Sequence, residues 1–195
     1  MKRKNPKAAV LPDFTEGGVL PPGDYEMTLE ELKEPALVRG PIGASSKWDS
    51  DWRLRLVESL EILVHQLWEA GITEVFINGS FVEDKDHPSD IDGYFVCSRE
   101  ELLNGPLVQK LNLFDKHKVW TWDPQSRIGH PASPKRQLPM WHWYRVELYP
   151  HWGQGSGIRD KFGNELEFPA AFRISRRDDC PKGIVKIVEV KNDPQ

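Results

Sequence analysis

Cysteine is scarce in this chain: Cys97 and Cys180 are the two it has, and they show neither a metal-binding spacing nor a disulfide framework. That scarcity excludes a small secreted fold held by cross-links and makes a reducing cytoplasm the expected setting. Long apolar runs are missing too. No stretch approaches the roughly 20 residues a membrane-spanning helix needs, so no membrane partner is expected. The opening MKRKNPKAAVLPDF is basic, but no apolar segment follows its charges, which argues against a secretory signal. Positive charge is not in excess either. With 26 Lys and Arg against 30 Asp and Glu, the net charge is −4. Such a chain has no general attraction to nucleic acid, although a local basic face stays open. Internal repeats and a second-domain boundary are also absent.

What is there is an ordinary globular composition, 38% hydrophobic and 29% charged over 195 residues, enough for one domain with a substantial core. Residues 1–27, rich in Pro, Gly and Lys, read as an extended arm in front of a single domain over 28–195. Within the arm, MKRKNPK could touch a phosphate backbone, although a frayed, solvated terminus is the simpler reading. Thr28 with Glu31 three residues on fits a capping box and opens a short helix. From Asp49 to Ala70, apolar residues Leu54, Val57, Leu60, Leu63, Val64 and Leu67 recur at helical spacing. Ser50 or Asp51 is the expected cap, with Gly71 at the left-handed stop. Arg53 and Arg55, early in this helix, read as solvated surface arginines that could alternatively reach a phosphate. His65 reads as a helix-surface residue.

The most informative stretch is Phe76–Val96, FINGSFVEDKDHPSDIDGYFV. An apolar strand over 73–78 breaks at Gly79-Ser80, a polar loop follows, and a second strand over 91–97 carries Asp92, with Asp90 at its start. Side chains two apart on a strand share a face. Asp90 and Asp92 therefore project side by side while Ile91 points into a core. Two carboxylates so close repel unless one is protonated or a cation lies between them. Mg²⁺, which takes one or two carboxylates plus substrate phosphates, answers that need. Gly79 offers phosphate a backbone without a Cβ, and Ser80 offers a hydroxyl donor.

A Gly-Ser pair, a short spacer and Asp-x-Asp in an apolar strand resemble the DNA polymerase β-like nucleotidyltransferases. The resemblance implies an α+β fold, a mixed β-sheet with helices packed mainly on one face. It implies that Gly79 and Ser80 hold the triphosphate of an NTP and that Asp90 and Asp92 bind catalytic Mg²⁺, two ions in all, with Mn²⁺ as a substitute. A third acid on a later strand completes such a site, and Glu147 in WYRVELYP stands there, where Asp is usual. LPPGDYEMTLEELKE near the start and KGIVKI near the end extend the resemblance to a family of short microbial and phage proteins of that fold, for which no substrate is implied.

Further candidates surround this core. Lys85 and His87 in the loop are candidate phosphate contacts, and Gly93 leaves room either for a ligand or for crowded sheet neighbours. Residues 99–118 read as helix, broken at Asn104-Gly105 and restarted by Pro106. The stretch from 120 to 139, dense in Trp, Pro and basic residues, reads as a loop. Its Trp120, Trp122, Arg127, Lys135 and Arg136 could stack on and neutralise a nucleotide or single strand, and an exposed linker is the alternative. Met140–Tyr149 reads as one strand, which would put Arg145, Glu147 and Tyr149 on a common face and Arg145 within reach of an acid or a phosphate. GQGSG lacks the strand-to-helix context of a dinucleotide cradle and reads as a flexible loop or lid. Residues 167–175 and 184–190 read as strands, with the RISRR run between them as a basic edge.

Three functions follow as expectations. The first is Mg²⁺-dependent transfer of a nucleoside monophosphate to a protein, an RNA end or a small molecule, in the toxin–antitoxin or phage-defence setting of resembling families, with a partner protein. The second is a nucleotide- or partner-binding module of the same fold without turnover. The third is a nucleic-acid-binding protein.

Overall fold

A computed structural model describes residues 11–34, 37–131 and 133–190. Its longest element is helix α2 (Ser50–Ala70), and the side chains explain both of its ends. Asp49, one residue before the expected caps, accepts a hydrogen bond from the Trp52 N–H at 2.9 Å, and Gly71 closes the helix at φ 93°. Leu56, Val57, Leu60, Leu63, Val64 and Leu67 form its buried stripe. Arg53 belongs to the same stripe and is fully buried, which corrects the reading of it as a surface arginine; Arg55 is exposed.

The stripe packs on one face of a five-stranded mixed sheet. The strands are β1 (Asp24–Met27), β2 (Val75–Asn78), β3 (Ile91–Val96), β6 (Val146–His151) and β9 (Ile184–Ile187), in the order β1-β9-β2-β3-β6. The outer pairs β1–β9 and β3–β6 are parallel, while β2 runs antiparallel to both β9 and β3. Between β1 and α2 lies α1 (Leu29–Leu32), and the Thr28–Glu31 capping box forms in both directions. Helices α3 (Arg99–Leu103) and α4 (Leu107–Phe114) follow β3 with the expected break between them.

Strand alternation assigns the two faces. Val75, Ile77, Ile91, Phe95, Val146, Leu148, Val185 and Ile187 join side chains of α1, α2, α4 and α5 (Pro139–Tyr144) in the main core. The opposite face carries Tyr94 and Ile184, covered by Phe168 and Phe172 at and just beyond α6 (Phe168–Ala171). Helices therefore cover mainly one face of a mixed sheet, and the architecture is α+β.

Several local readings change. Residues 24–27, placed in an arm by the sequence, are edge strand β1, and Leu11 and Leu20 before them pack into the main core. MKRKNPK lies outside the described residues. The 120–139 stretch contains a hairpin, β4 (Ile128–His130) with β5 (Ser133–Gln137), and Trp120 in it is fully buried. Met140–Tyr149 is a helix followed by a strand, because Pro139 sets up a first helical turn and Met140, Trp141 and Tyr144 then bury at helical spacing. GQGSG enters β7 (Gly155–Arg159), which pairs with β8 (Glu165–Glu167), and the strand expected over 167–175 is instead α6.

Candidate active site

Sheet register brings the predicted acids together. Asp92 on β3 lies opposite Asn78 on β2 on one side and Glu147 on β6 on the other, so the three form a row across the strands. All three belong to the face turned away from α2. Asp90 precedes β3 and shares Asp92's face, while Ile91 between them is fully buried in the main core. A cavity of about 510 Å³ opens over this row, and Asp90, Asp92 and Glu147 all line it.

Gly79 and Ser80 begin the short 3₁₀ turn (Gly79–Val82) that follows β2. Gly79 adopts φ 74°, and a Cβ there would come within 2.5 Å of an Asp92 carboxylate oxygen, so only glycine lets the turn lie against that acid. Gly93 has a different reason: a Cβ would strike the Phe76 carbonyl and the Leu148 side chain, so its smallness serves the sheet. The turn lines a second cleft of about 220 Å³, with Asn78, Asp92, Arg176, Arg177 and Lys182. Asp92, Phe172 and Arg176 line both spaces. The Gly79-Ser80 cleft thus leads toward the acids past Arg176.

The electrostatics show a site with too much negative charge for its solvation. Burial, then the Asp90 and Glu147 charges, push the Asp92 carboxyl up to about 7, against partial relief from Arg176 and Lys182. Asp90 is also raised, mainly by burial, while a 2.7 Å hydrogen bond from the Trp141 indole N–H opposes the shift. Glu147 is held differently. One carboxylate oxygen accepts the Leu138 N–H at 3.0 Å, the other accepts the Tyr149 hydroxyl, and the Arg127 guanidinium lies 3.8 Å away. Burial and that carboxylate together raise the Tyr149 phenol above its ordinary value.

These donors can be weighed against a hard dication. All are oxygens, and Asp90 and Asp92 carry the crowded charge that such an ion relieves, so the pair fits. Among the described residues no three His, Cys, Asp or Glu side chains are gathered into a ready cage, and both Glu147 oxygens already have protein partners. Asp90 and Asp92 are thus the ligand pair the geometry offers.

The other expected contacts lie elsewhere. Lys85 is exposed and lines neither space, and the charge of its side chain is felt by Asp90. His87 stacks on Trp52 and contacts Asp49 at 2.9 Å. Arg145 is not on a strand beside Glu147. It ends α5 in the left-handed region at φ 54°, with its guanidinium 3.7 Å from the centre of the Trp141 ring, while Tyr149 does share Glu147's face. Arg53 donates to the carbonyls of Leu37, Phe81, Glu83 and Lys85 at 2.7–2.9 Å, fixing the loop beyond the Gly-Ser turn. Lys182 makes a 2.6 Å pair with buried Glu83, which Arg177 also meets at 3.1 Å. Sequence reading missed Trp141 and the RISRR arginines as site residues. Of the latter, Arg173 pairs with Asp24 and Arg177 with Glu83 and Asp84, whereas Arg176 has no ion-pair partner among the described residues.

Fold and site together define an α+β protein with an acid-lined cavity joined to a Gly-Ser cleft of mixed charge, where Arg176, Arg177 and Lys182 meet Glu83 and Asp92, on the sheet face opposite its main helices. The chain belongs to a family of unknown function, DUF6932, whose model matches residues 12–188. That span contains the whole sheet, from β1 to β9. No curated protein and no solved structure matches the chain.

Proposed function

We propose that this protein is an Mg²⁺-dependent nucleotidyltransferase that moves a nucleoside monophosphate from an NTP to an acceptor hydroxyl. The observation that carries the reading is the joining of the two spaces: Asp90, Asp92 and Glu147 share one cavity, which meets the Gly79-Ser80 cleft at Asp92 and Arg176. The polymerase β-like resemblance of the motif points the same way.

In this reading the Gly79-Ser80 turn receives the β- and γ-phosphates through the Ser80 hydroxyl and the Arg176 guanidinium; the Gly79 N–H already donates to Asn78 Oδ1 at 2.6 Å, and Arg177 and Lys182, paired with Glu83, add positive charge at the cleft wall. Asp90 and Asp92 would hold Mg²⁺, which when bound supplies charge neutralisation at the α-phosphate and the leaving pyrophosphate. Glu147, fixed by Leu138 and Tyr149, stands beside Asp92 to accept the proton of the incoming hydroxyl. Positioning and charge compensation supply most of the acceleration.

The test is incubation with each labelled NTP, Mg²⁺ or Mn²⁺ and cell lysate, comparing wild type with Asp90→Ala/Asp92→Ala. Label on a lysate component with wild type alone is the expected result, and no label with any NTP refutes turnover. One observation favours a second reading, a nucleotide-binding module: each Glu147 carboxylate oxygen already accepts a hydrogen bond from its own protein. Calorimetry separates the two, since the module binds NTP equally well as wild type and as Glu147→Gln and releases no pyrophosphate.

A further inference from the structure

Trp141 on α5 is almost wholly buried, at 2% exposure, yet it lines the acid cavity. Its indole N–H, the one polar group it has, donates to Asp90 Oδ2 at 2.7 Å. A buried indole needs a partner, and a backbone carbonyl is enough: Trp48, Trp52 and Trp122 each donate to one. Among the described residues Trp141 is the tryptophan that gives its N–H to a carboxylate. The backbone and a neighbouring side chain hold its ring in place. The Arg145 guanidinium lies 3.7 Å from the ring centre, and the Arg145 N–H donates to the Trp141 carbonyl at 3.0 Å. The Arg145 carbonyl in turn accepts the N–H of Ile91, the residue between the two aspartates, at 3.0 Å. The end of α5, the indole and Asp90 therefore form one braced unit.

We infer that Trp141 is a positioning residue that makes Asp90 a one-oxygen ligand and so selects a small octahedral dication over Ca²⁺. With Oδ2 engaged by the indole, Oδ1 is the oxygen left for an ion. Mg²⁺, and Mn²⁺ in its place, demands a compact octahedral shell, whereas Ca²⁺ is larger, gathers more oxygens and accepts both from one carboxylate. A carboxylate that offers one oxygen serves the first kind of ion and denies the second a ligand. Ligand number decides selectivity between such ions, and here a hydrogen bond from outside the ligand set fixes that number. A tryptophan that only completed its own packing would, when lost, weaken every ion alike. A positioning residue changes the ratio between them. The inference rests on the Asp90–Asp92 metal pair of the nucleotidyltransferase reading, and not on transfer itself.

Mn²⁺ binding to the full chain, followed by electron paramagnetic resonance with Ca²⁺ as competitor and no nucleotide, reads that ratio directly. Wild type should bind Mn²⁺ more tightly than Ca²⁺, and Asp90→Asn should abolish the binding. Trp141→Phe keeps a buried ring and loses the donor. Its Mn²⁺ affinity should fall roughly 10–100-fold, the usual effect of removing a ligand's hydrogen-bond partner. Its Ca²⁺ affinity should fall by less, so that the Mn²⁺-to-Ca²⁺ ratio drops by about tenfold. Trp48→Phe loses an indole bond to the Val38 carbonyl at 2.8 Å, away from both spaces, and should leave the ratio unchanged. Equal losses for the two ions in Trp141→Phe, no loss for either, or the same drop in Trp48→Phe overturns the inference. So does a wild type that prefers Ca²⁺, a result that needs no variant to fold. Wild type that binds neither ion, or binding that survives Asp90→Asn, removes the metal pair and the inference together. A shifted ratio in a protein that labels no lysate component upholds the role of Trp141 and removes the nucleotidyltransferase reading.

Discussion

Asp92 is the residue on which charge, register and backbone converge. It faces Gly79 from one side, lies in register with Glu147, and shares its face with Asp90. With a carboxyl raised from 3.8 to about 7, the folded protein holds this proton more tightly than the unfolded chain does. The sign follows. The folded form is favoured most below about pH 4, and that advantage is lost as pH rises through about 7. Asp92→Asn should therefore flatten the decline in unfolding free energy between pH 5 and pH 8 and leave the variant more stable than wild type at pH 8. Urea titrations at both pH values would show it; parallel pH profiles for the two proteins would refute the burial of charge at this position. The aspartates and Glu147 were legible in the sequence because period 2 on an apolar strand assigns faces directly. Arg176 was not, because its importance comes from cavities assembled by β2, α6 and the segment before β9.

At the scale of elements, Arg53 shows how a pattern can be read and still be misjudged. It stands three residues before Leu56 and four before Val57, so helical spacing puts it on the buried stripe of α2. An arginine there needs acceptors, and the acceptors are four backbone carbonyls that the 37–38 and 81–85 segments bring from a distance. Burial lowers its guanidinium to about 10, which still leaves it charged at neutral pH. Arg53→Met removes the donors from all four carbonyls at a cost on the order of 1–3 kcal/mol for each that water cannot reach. A loss of at least about 3 kcal/mol is therefore expected by urea unfolding, with exposed Arg55→Met changing stability by less than about 0.5 kcal/mol. A loss below about 1 kcal/mol for Arg53→Met would mean the loop does not depend on it. The same contrast separates the other elements. Helix α2, β2 and β3 declare themselves through local periodicity. In α5 the aromatic run resembles a strand by propensity, and only Pro139 signals the helix. The β4–β5 hairpin buries too little apolar surface to leave an alternating pattern.

At the scale of the molecule, the sheet separates two tasks. One face carries the main core under α2, and the other carries the acids beneath α6 and two hairpins. A ligand bound on the second face touches β2, β3, β6 and the segment before β9 at once, so its binding energy should stabilise the sheet as a whole rather than one loop. At a hundred times its dissociation constant, MgNTP would add about 2.7 kcal/mol. For a chain of this size that is a rise in melting temperature of about 5–10 °C. The rise has a pH signature, because a cation at Asp90 and Asp92 must displace the proton that Asp92 holds up to about pH 7. Calorimetric scans with MgNTP should thus show a larger shift at pH 8 than at pH 6, with little shift in Asp92→Asn at either. A shift of equal size at both pH values would place the bound ion away from the aspartates. A shift produced by NTP without Mg²⁺ and kept in Asp92→Asn would assign the affinity to Arg176, Arg177 and Lys182 alone, leaving the acids no part in nucleotide binding.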